Sequence, residues 1–176
     1  MILGDKALTH LVNKGCIEYT EPRLINPASV NIRIGETFLR PRKRPFGVYL
    51  GAEMDYKEEK IGKDGTFCLH PGEFALATTI EKLFVPPNLA AFVQGRSSIG
   101  RAGLTVQNAG FVDPGFMGHI TLELKNETRN KIYIPFGYPV AQLVYFECTE
   151  VEHPYAGKYI GQIKATGSRM FMDEWQ

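Results

Sequence analysis

The spacing of apolar residues changes once, early in the chain, and does not change back. Ala7, Leu8, Leu11 and Val12 fall at helical intervals, which predicts one short helix with Asp5 as its N-cap and Gly15 as its end. Beyond it the period is two. Val30, Ile32 and Ile34 alternate with Asn31 and Arg33, predicting a half-buried strand closed by Gly35. Residues 40–47, with four basic side chains and two prolines, read as an exposed loop, and the charged run 53–64 reads as a solvated hairpin or loop. From Phe67 onward short β-like runs recur between Pro and Gly punctuation, at 73–79, 89–94, 116–124, 131–134 and 140–146. That rhythm favours an all-β sandwich or barrel over alternating β-α units. In the run 116–124, Ile120, Leu122 and Leu124 should enter the core, leaving His119, Thr121 and Glu123 on the other face.

At 176 residues the chain has the length of a single domain, 1–176. A domain of that size buries about 70% of the surface its unfolded chain exposes, so neither a disulfide nor a structural metal is required. Lys and Arg number 20 against 19 Asp and Glu, so the electrostatic footprint of a nucleic-acid binder is missing and any anion site must be local. Cys16, Cys68 and Cys148 form no C-x-x-C pair, which leaves neither a zinc ribbon nor a thioredoxin-like motif and fits reduced thiols in a cytoplasmic chain. The apolar start is too short for a signal peptide, and no stretch approaches the ~18 apolar residues of a membrane span. A soluble, cytoplasmic protein without a membrane partner is expected.

Candidate chemistry concentrates in three segments. Residues 95–103 pack Arg96, Arg101, Ser97 and Ser98 among Gly95, Gly100 and Gly103. Glycines admit close backbone approach, arginines present forked donors suited to phosphate, and each charge-assisted hydrogen bond contributes about 1.5–3 kcal/mol. The segment is either a phosphate site or a polar surface loop, and it is not a P-loop, because Arg101 stands where Lys would follow Gly100. Asp113-Pro114-Gly115 suits a tight turn, and on chemistry alone Asp113 serves that turn rather than a ligand. Glu123 is flanked by Leu122 and Leu124. Desolvation there would raise its pKa toward that of a general acid–base group, whereas the bland alternative is an exposed strand carboxylate. The segment 153–176, with Gly157, Gly161 and Gly167, reads either as a mobile lid or as a frayed terminus.

Together these segments resemble the dCTP deaminase branch of the dUTPase-like superfamily. The match runs through residues 95–101, 109–115 and Thr121-Leu122-Glu123, and extends to 27–30, 74–79, Ala141-Gln142-Leu143 and Gly157-Lys158-Tyr159. It implies a mostly β fold, a distorted jelly-roll barrel of the β-clip type with one N-terminal helix. It also implies a homotrimer whose active sites form between subunits. The implied reaction is hydrolytic deamination of dCTP without zinc, and the H-x-E and P-C-x-x-C pattern of zinc deaminases is indeed missing from the chain.

By the same resemblance Glu123 relays protons between water and base, Ser97 and Arg101 orient the water, and the backbone of Ala109 positions it. Arg96, Ser98, Ile99, Gly100, Thr121, Leu122 and Gln142 match nucleotide contacts, and Tyr155, Lys158 and Gln162 match a triphosphate clamp in the closing lid, 153–176. Asp113 matches an aspartate under the deoxyribose 3′-hydroxyl, which replaces the turn-only reading. Magnesium is implied through the triphosphate and water, with no direct protein ligand. The stretch 107–113, with Gly110, is similar to the dUMP-forming members, implying onward hydrolysis of dUTP to dUMP and pyrophosphate that supplies thymidylate synthesis. The alternatives are a deaminase that releases dUTP, a plain dUTPase, and a nucleotide-sensing trimer. Asn31 departs from the family, which places Asp there, and this bears on metal binding. His10, His70 and His119 match no functional position.

Overall fold

The computed structural model describes residues 1–107 and 110–173. Helix α1 (Asp5–Asn13) buries Leu8 and Leu11, and its N-cap is Gly4, not the expected Asp5. Asp5 lies one residue inside, where its carboxylate accepts the Lys6 N–H at 2.8 Å and meets the positive end of the helix dipole. The C-terminus closes as a Schellman turn. Gly15 sits at φ +75° and donates to the Val12 carbonyl, while the Cys16 N–H reaches the Leu11 carbonyl, each at 2.9 Å.

The rest is mostly β. One curled sheet contains, in spatial order, β8 (Leu104–Gln107), β10 (Met117–Asn126), β6 (Phe74–Phe84), β3 (Ser29–Pro41), β12 (Pro139–Glu147), β7 (Leu89–Gly95) and β9 (Phe111–Val112). Strand β1 (Ile17–Glu18) adds to β6, and β2 (Ile25–Asn26) and β4 (Tyr56–Lys60) add to β3. A separate ribbon pairs β5 (Thr66–Leu69) with β11 (Ile132–Pro135), and a single helical turn, α2 (Ser97–Arg101), joins β7 to β8.

Curling follows from β3, which changes partners along its length. Residues 30–33 pair with β12, whereas Ile34, Phe38 and Leu39 pair with β6 across a register shift. Gly35 sits at that shift and does not close the strand as expected. A Cβ there would stand 2.6 Å from Thr78 Cγ2 and 3.1 Å from the Thr78 carbonyl, so glycine permits the close crossing of β6. Nor is β3 half-buried: from Ser29 to Leu39 only Arg33 and Glu36 escape full burial, because the folded-over sheet covers both faces.

The charged run 53–64 is partly ordered by pairing. Tyr56–Lys60 zips onto residues 37–41, and Arg40 binds Glu59 and Glu73 with its guanidinium 4.6 Å over the Phe67 ring. That ring stacks on Phe38 in a core that also holds Ile32, Ile34, Leu83, Leu122, Leu124 and Leu143. Among the described residues the core contains one buried acid. Glu81, 1% exposed, accepts the Arg33 backbone N–H and the Arg33 Nε, each at 2.7 Å. No helix among the described residues is long and apolar enough to cross a membrane.

Candidate active site

Strand β10 alternates as its sequence predicts. Ile120, Leu122 and Leu124 are buried, and His119, Thr121 and Glu123 occupy the opposite face, half-buried. Glu123 stands opposite Leu76 of β6 on one side and Gln107 of β8 on the other. Over this face opens a cleft of about 540 Å³ with an apolar flank that includes Phe74, Leu76, Phe111 and Phe116. The Glu123 carboxyl makes no hydrogen bond or ion pair to a described residue, and burial pushes its pKa above the ordinary glutamate value. An uncompensated, partly dehydrated carboxyl holds a proton more readily than a surface one, which suits it to both give and take protons.

The C-terminal segment forms the other wall. Gly161 donates to the Met117 carbonyl at 2.7 Å, and Thr166 donates to the Thr121 hydroxyl at 3.1 Å. Gln162 and His119 bond twice, and Gly118, at φ +142°, lets them meet: a Cβ there would lie 3.0 Å from the Gln162 backbone N and O. Tyrosine hydroxyls accept along the segment: Tyr155 from the Tyr159 N–H, Tyr159 from the Arg169 N–H, and Tyr56 from the Ser168 N–H. Lys158 pairs with the Asp173 carboxylate.

Of the residues singled out from sequence, the cleft gathers Glu123, Asp113, Thr121, Tyr155, Lys158 and Gln162. Asp113 opens the expected turn through its backbone carbonyl, which accepts the Phe116 N–H at 3.1 Å, so its exposed carboxylate remains available to the cleft. The second group does not line it. Ser97, Ser98, Gly100 and Arg101 are exposed on or beside the short α2, and Ile99 packs against the core. Arg96 donates to the Pro139 carbonyl at 2.9 Å. Gln142 lies on β12 opposite Asn31, which is buried and donates to Asn26 Oδ1 at 3.4 Å. The Leu122 side chain is wholly in the core, which leaves only its backbone to face a ligand. Ala109 lies outside the described residues.

Sequence reasoning passed over several lining residues, namely Tyr56, Phe74, Phe116 and residues 166–168. The aromatic ones look like ordinary core or strand positions. Tyr56 sits in a charged run with no local sign of what packs on it. Among the described residues no three His, Cys, Asp or Glu side chains converge to hold a metal ion.

Comparison with known proteins identifies the family. Residues 2–148 match the family model described as dCTP deaminase-like. The dCTP deaminase, dUMP-forming, of Sulfurihydrogenibium sp. (strain YO3AOP1) is 39% identical, with 98% of this chain and 99% of the relative covered. The protein of the same description from Persephonella marina is also 39% identical over 99% of both chains. Among solved structures, 2′-deoxycytidine 5′-triphosphate deaminase from Agrobacterium tumefaciens superposes with a TM-score of 0.67 at 20% identity, over 82% of this chain and 47% of that one, a likeness of fold. A partly dehydrated strand carboxyl that shares a cleft with an aspartate and with the C-terminal segment thus sits in a chain that, over nearly its full length, belongs to the dCTP deaminase-like family.

Proposed function

We infer that this chain hydrolyses the 4-amino group of dCTP and carries the resulting dUTP on to dUMP and pyrophosphate in the same site. The observation that carries the reading is Glu123, a partly dehydrated carboxyl without a partner among the described residues, sharing one cleft with the carboxylate of Asp113. Deamination requires a water to lose a proton as it attacks C4, N3 to gain one, and ammonia to depart. One carboxyl within reach of all three atoms can move those protons, and such help is worth about 10²–10⁴-fold. Asp113 takes the 3′-hydroxyl and directs a second water at the α-phosphate.

The cleft of one chain lacks cationic or hydroxyl donors from α2, so the site is completed by a neighbouring subunit in a homotrimer. The neighbour supplies Ser97 and Arg101 to hold the attacking water and steady the tetrahedral centre. Arg96, Ser98, Ile99, Gly100 and Gln142 bind the nucleotide, and the backbone at Thr121 and Leu122 meets the base. Tyr155, Lys158 and Gln162 clamp the triphosphate when the lid, 153–176, closes. Magnesium arrives bound to the triphosphate and neutralises its charge. The reaction draws on the cytoplasmic nucleotide pool.

Incubation with dCTP and magnesium, followed by resolution of products, tests the reading. Release of ammonia, dUMP and pyrophosphate is expected. Accumulation of dUTP would remove the second step, turnover of dUTP without dCTP would leave a plain dUTPase, and binding without turnover would leave a sensor.

A further inference from the structure

One row of directly opposed residues crosses five strands on the cleft face: Gln107 on β8, Glu123 on β10, Leu76 on β6, Leu39 on β3 and Glu58 on β4. The C-terminal segment lies across this row. Lys164 Nζ pairs with Glu58 Oε2 at 2.5 Å, the Ala165 N–H reaches the Thr37 hydroxyl at 3.2 Å, and the Thr166 N–H reaches that of Thr121. Ala165, 3% exposed, drops between them into a small apolar cluster with Leu39 and Leu76, closed by the ring of Tyr56. This cluster is separate from the main core, and its edge residue, Leu76, is the cross-strand neighbour of Glu123.

We propose that Leu76 is a positioning residue for the reaction: with Ala165 of the docked tail it forms a dry wall against Glu123, so that tail docking turns a hydrated carboxylate into a partly dehydrated acid–base group. Directly opposed side chains lie about 4.5–5.5 Å apart at Cβ, so Leu76 removes water from one side of the carboxyl. Undocking Ala165 would expose Leu76 and wet that side. The charged and titratable groups that share the cleft are Asp113, Lys158, Tyr56, Tyr155 and Tyr159; Gln107 and Thr121 flank Glu123 as neutral groups. Burial, not any of these charges, is what displaces its titration. One segment would then both hold the triphosphate and make the proton relay basic enough to act, which suppresses relay chemistry on an open site.

This inference rests on Glu123 being the relay. The test uses the full-length chain, with Glu123 followed by carboxyl ¹³C NMR, its signal identified by loss in Glu123→Gln. Leu76→Asn and Ala165→Asn are compared with Leu76→Met, which keeps the wall. In both Asn variants the Glu123 midpoint falls toward that of an ordinary glutamate, the acid limb of kcat/KM moves down with it, and kcat at neutral pH drops about tenfold. Leu76→Met retains the parent profile. Because Ala165 lies outside the main core, its variant stands if Leu76→Asn fails to fold. An unmoved midpoint in a folded Asn variant, or a rise in KM alone, overturns the proposal. Deamination by Glu123→Gln would instead overturn the relay, while the NMR midpoints would still decide the wall.

Discussion

Gln162 and His119 exchange two hydrogen bonds, the side-chain amide of Gln162 donating to the His119 carbonyl at 2.6 Å and the His119 N–H donating to the Gln162 carbonyl at 2.9 Å. This pair ties the C-terminal segment to the strand that carries Glu123, and Gly118 makes the approach possible. Two such bonds contribute roughly 1–3 kcal/mol to docking, or about 5- to 150-fold in the docked population. Gly118→Ala places a methyl group against Gln162 and is expected to raise KM for dCTP by about that factor and to make the tail cleavable by trypsin. A tail as resistant as in the parent protein would show that the pair does not govern docking.

Removing the charge of Glu123 separates chemistry from stability. Glu123→Gln is expected to lower deamination by about 10²–10⁴-fold with nucleotide binding retained. Its effect on stability has the opposite sign. The folded-state pKa of Glu123 is raised, so its stabilising contribution is complete below the unfolded value near 4.5 and is lost as pH rises through the folded value. The variant should therefore melt no lower than the parent at pH 8, and any advantage should vanish toward pH 4. Melting curves at the two pH values, with an ammonia assay, check both halves.

Asp113 is assigned to the second reaction. Asp113→Asn keeps the turn, which uses the backbone carbonyl, and removes the charge. Pyrophosphate release should fall by about 10²-fold or more, with a smaller change in dCTP affinity, so that dUTP accumulates. Undiminished dUMP formation would clear Asp113 of that role.

The proposed completion of the site by a neighbour predicts complementation. Glu123→Gln and Arg101→Ala are each expected to be nearly inactive alone. Co-expressed, they should form mixed oligomers in which some sites combine an intact Glu123 with an intact Arg101 from the next subunit. Recovered activity in the mixed species, absent when separately assembled proteins are simply combined, is the expected result. No recovery would place both residues in one subunit's site.

The buried Arg33–Glu81 pair, which does not line the cleft, predicts a stability defect. Arg33→Ala leaves Glu81 in the core without its guanidinium, a loss of about 3–5 kcal/mol. Replacing both residues by leucine should return much of it, as chemical denaturation would show.

Much of this architecture is legible along the chain. The opening helix, the centres of β6, β7, β10, β11 and β12, and the two faces of β10 follow from spacing, because side-chain period is a local consequence of backbone geometry. The motif order also pointed to Glu123, Asp113, Thr121, Tyr155, Lys158 and Gln162, which the cleft gathers. Local signals misled where the cause was distant. Gly35 resembles a strand end because glycine usually is one, yet here it admits Thr78, more than 40 residues away in sequence. Asp5 resembles an N-cap, yet the helix begins one residue earlier.

Position in the sequence determined which residues this protein has to work with; only the tertiary structure decided which of them meet. Glu123 meets Leu76 through an antiparallel register and Ala165 meets Leu76 through a returning tail, and the same folding sends α2 and Gln142 away from that cleft. Register is set by packing both sheet faces at once, and no single segment carries that information. Whether a carboxyl is hydrated, and hence how tightly it holds a proton, is decided by neighbours from other strands. For Glu123 the residue type was readable at once, and its chemistry only after the chain had folded over it.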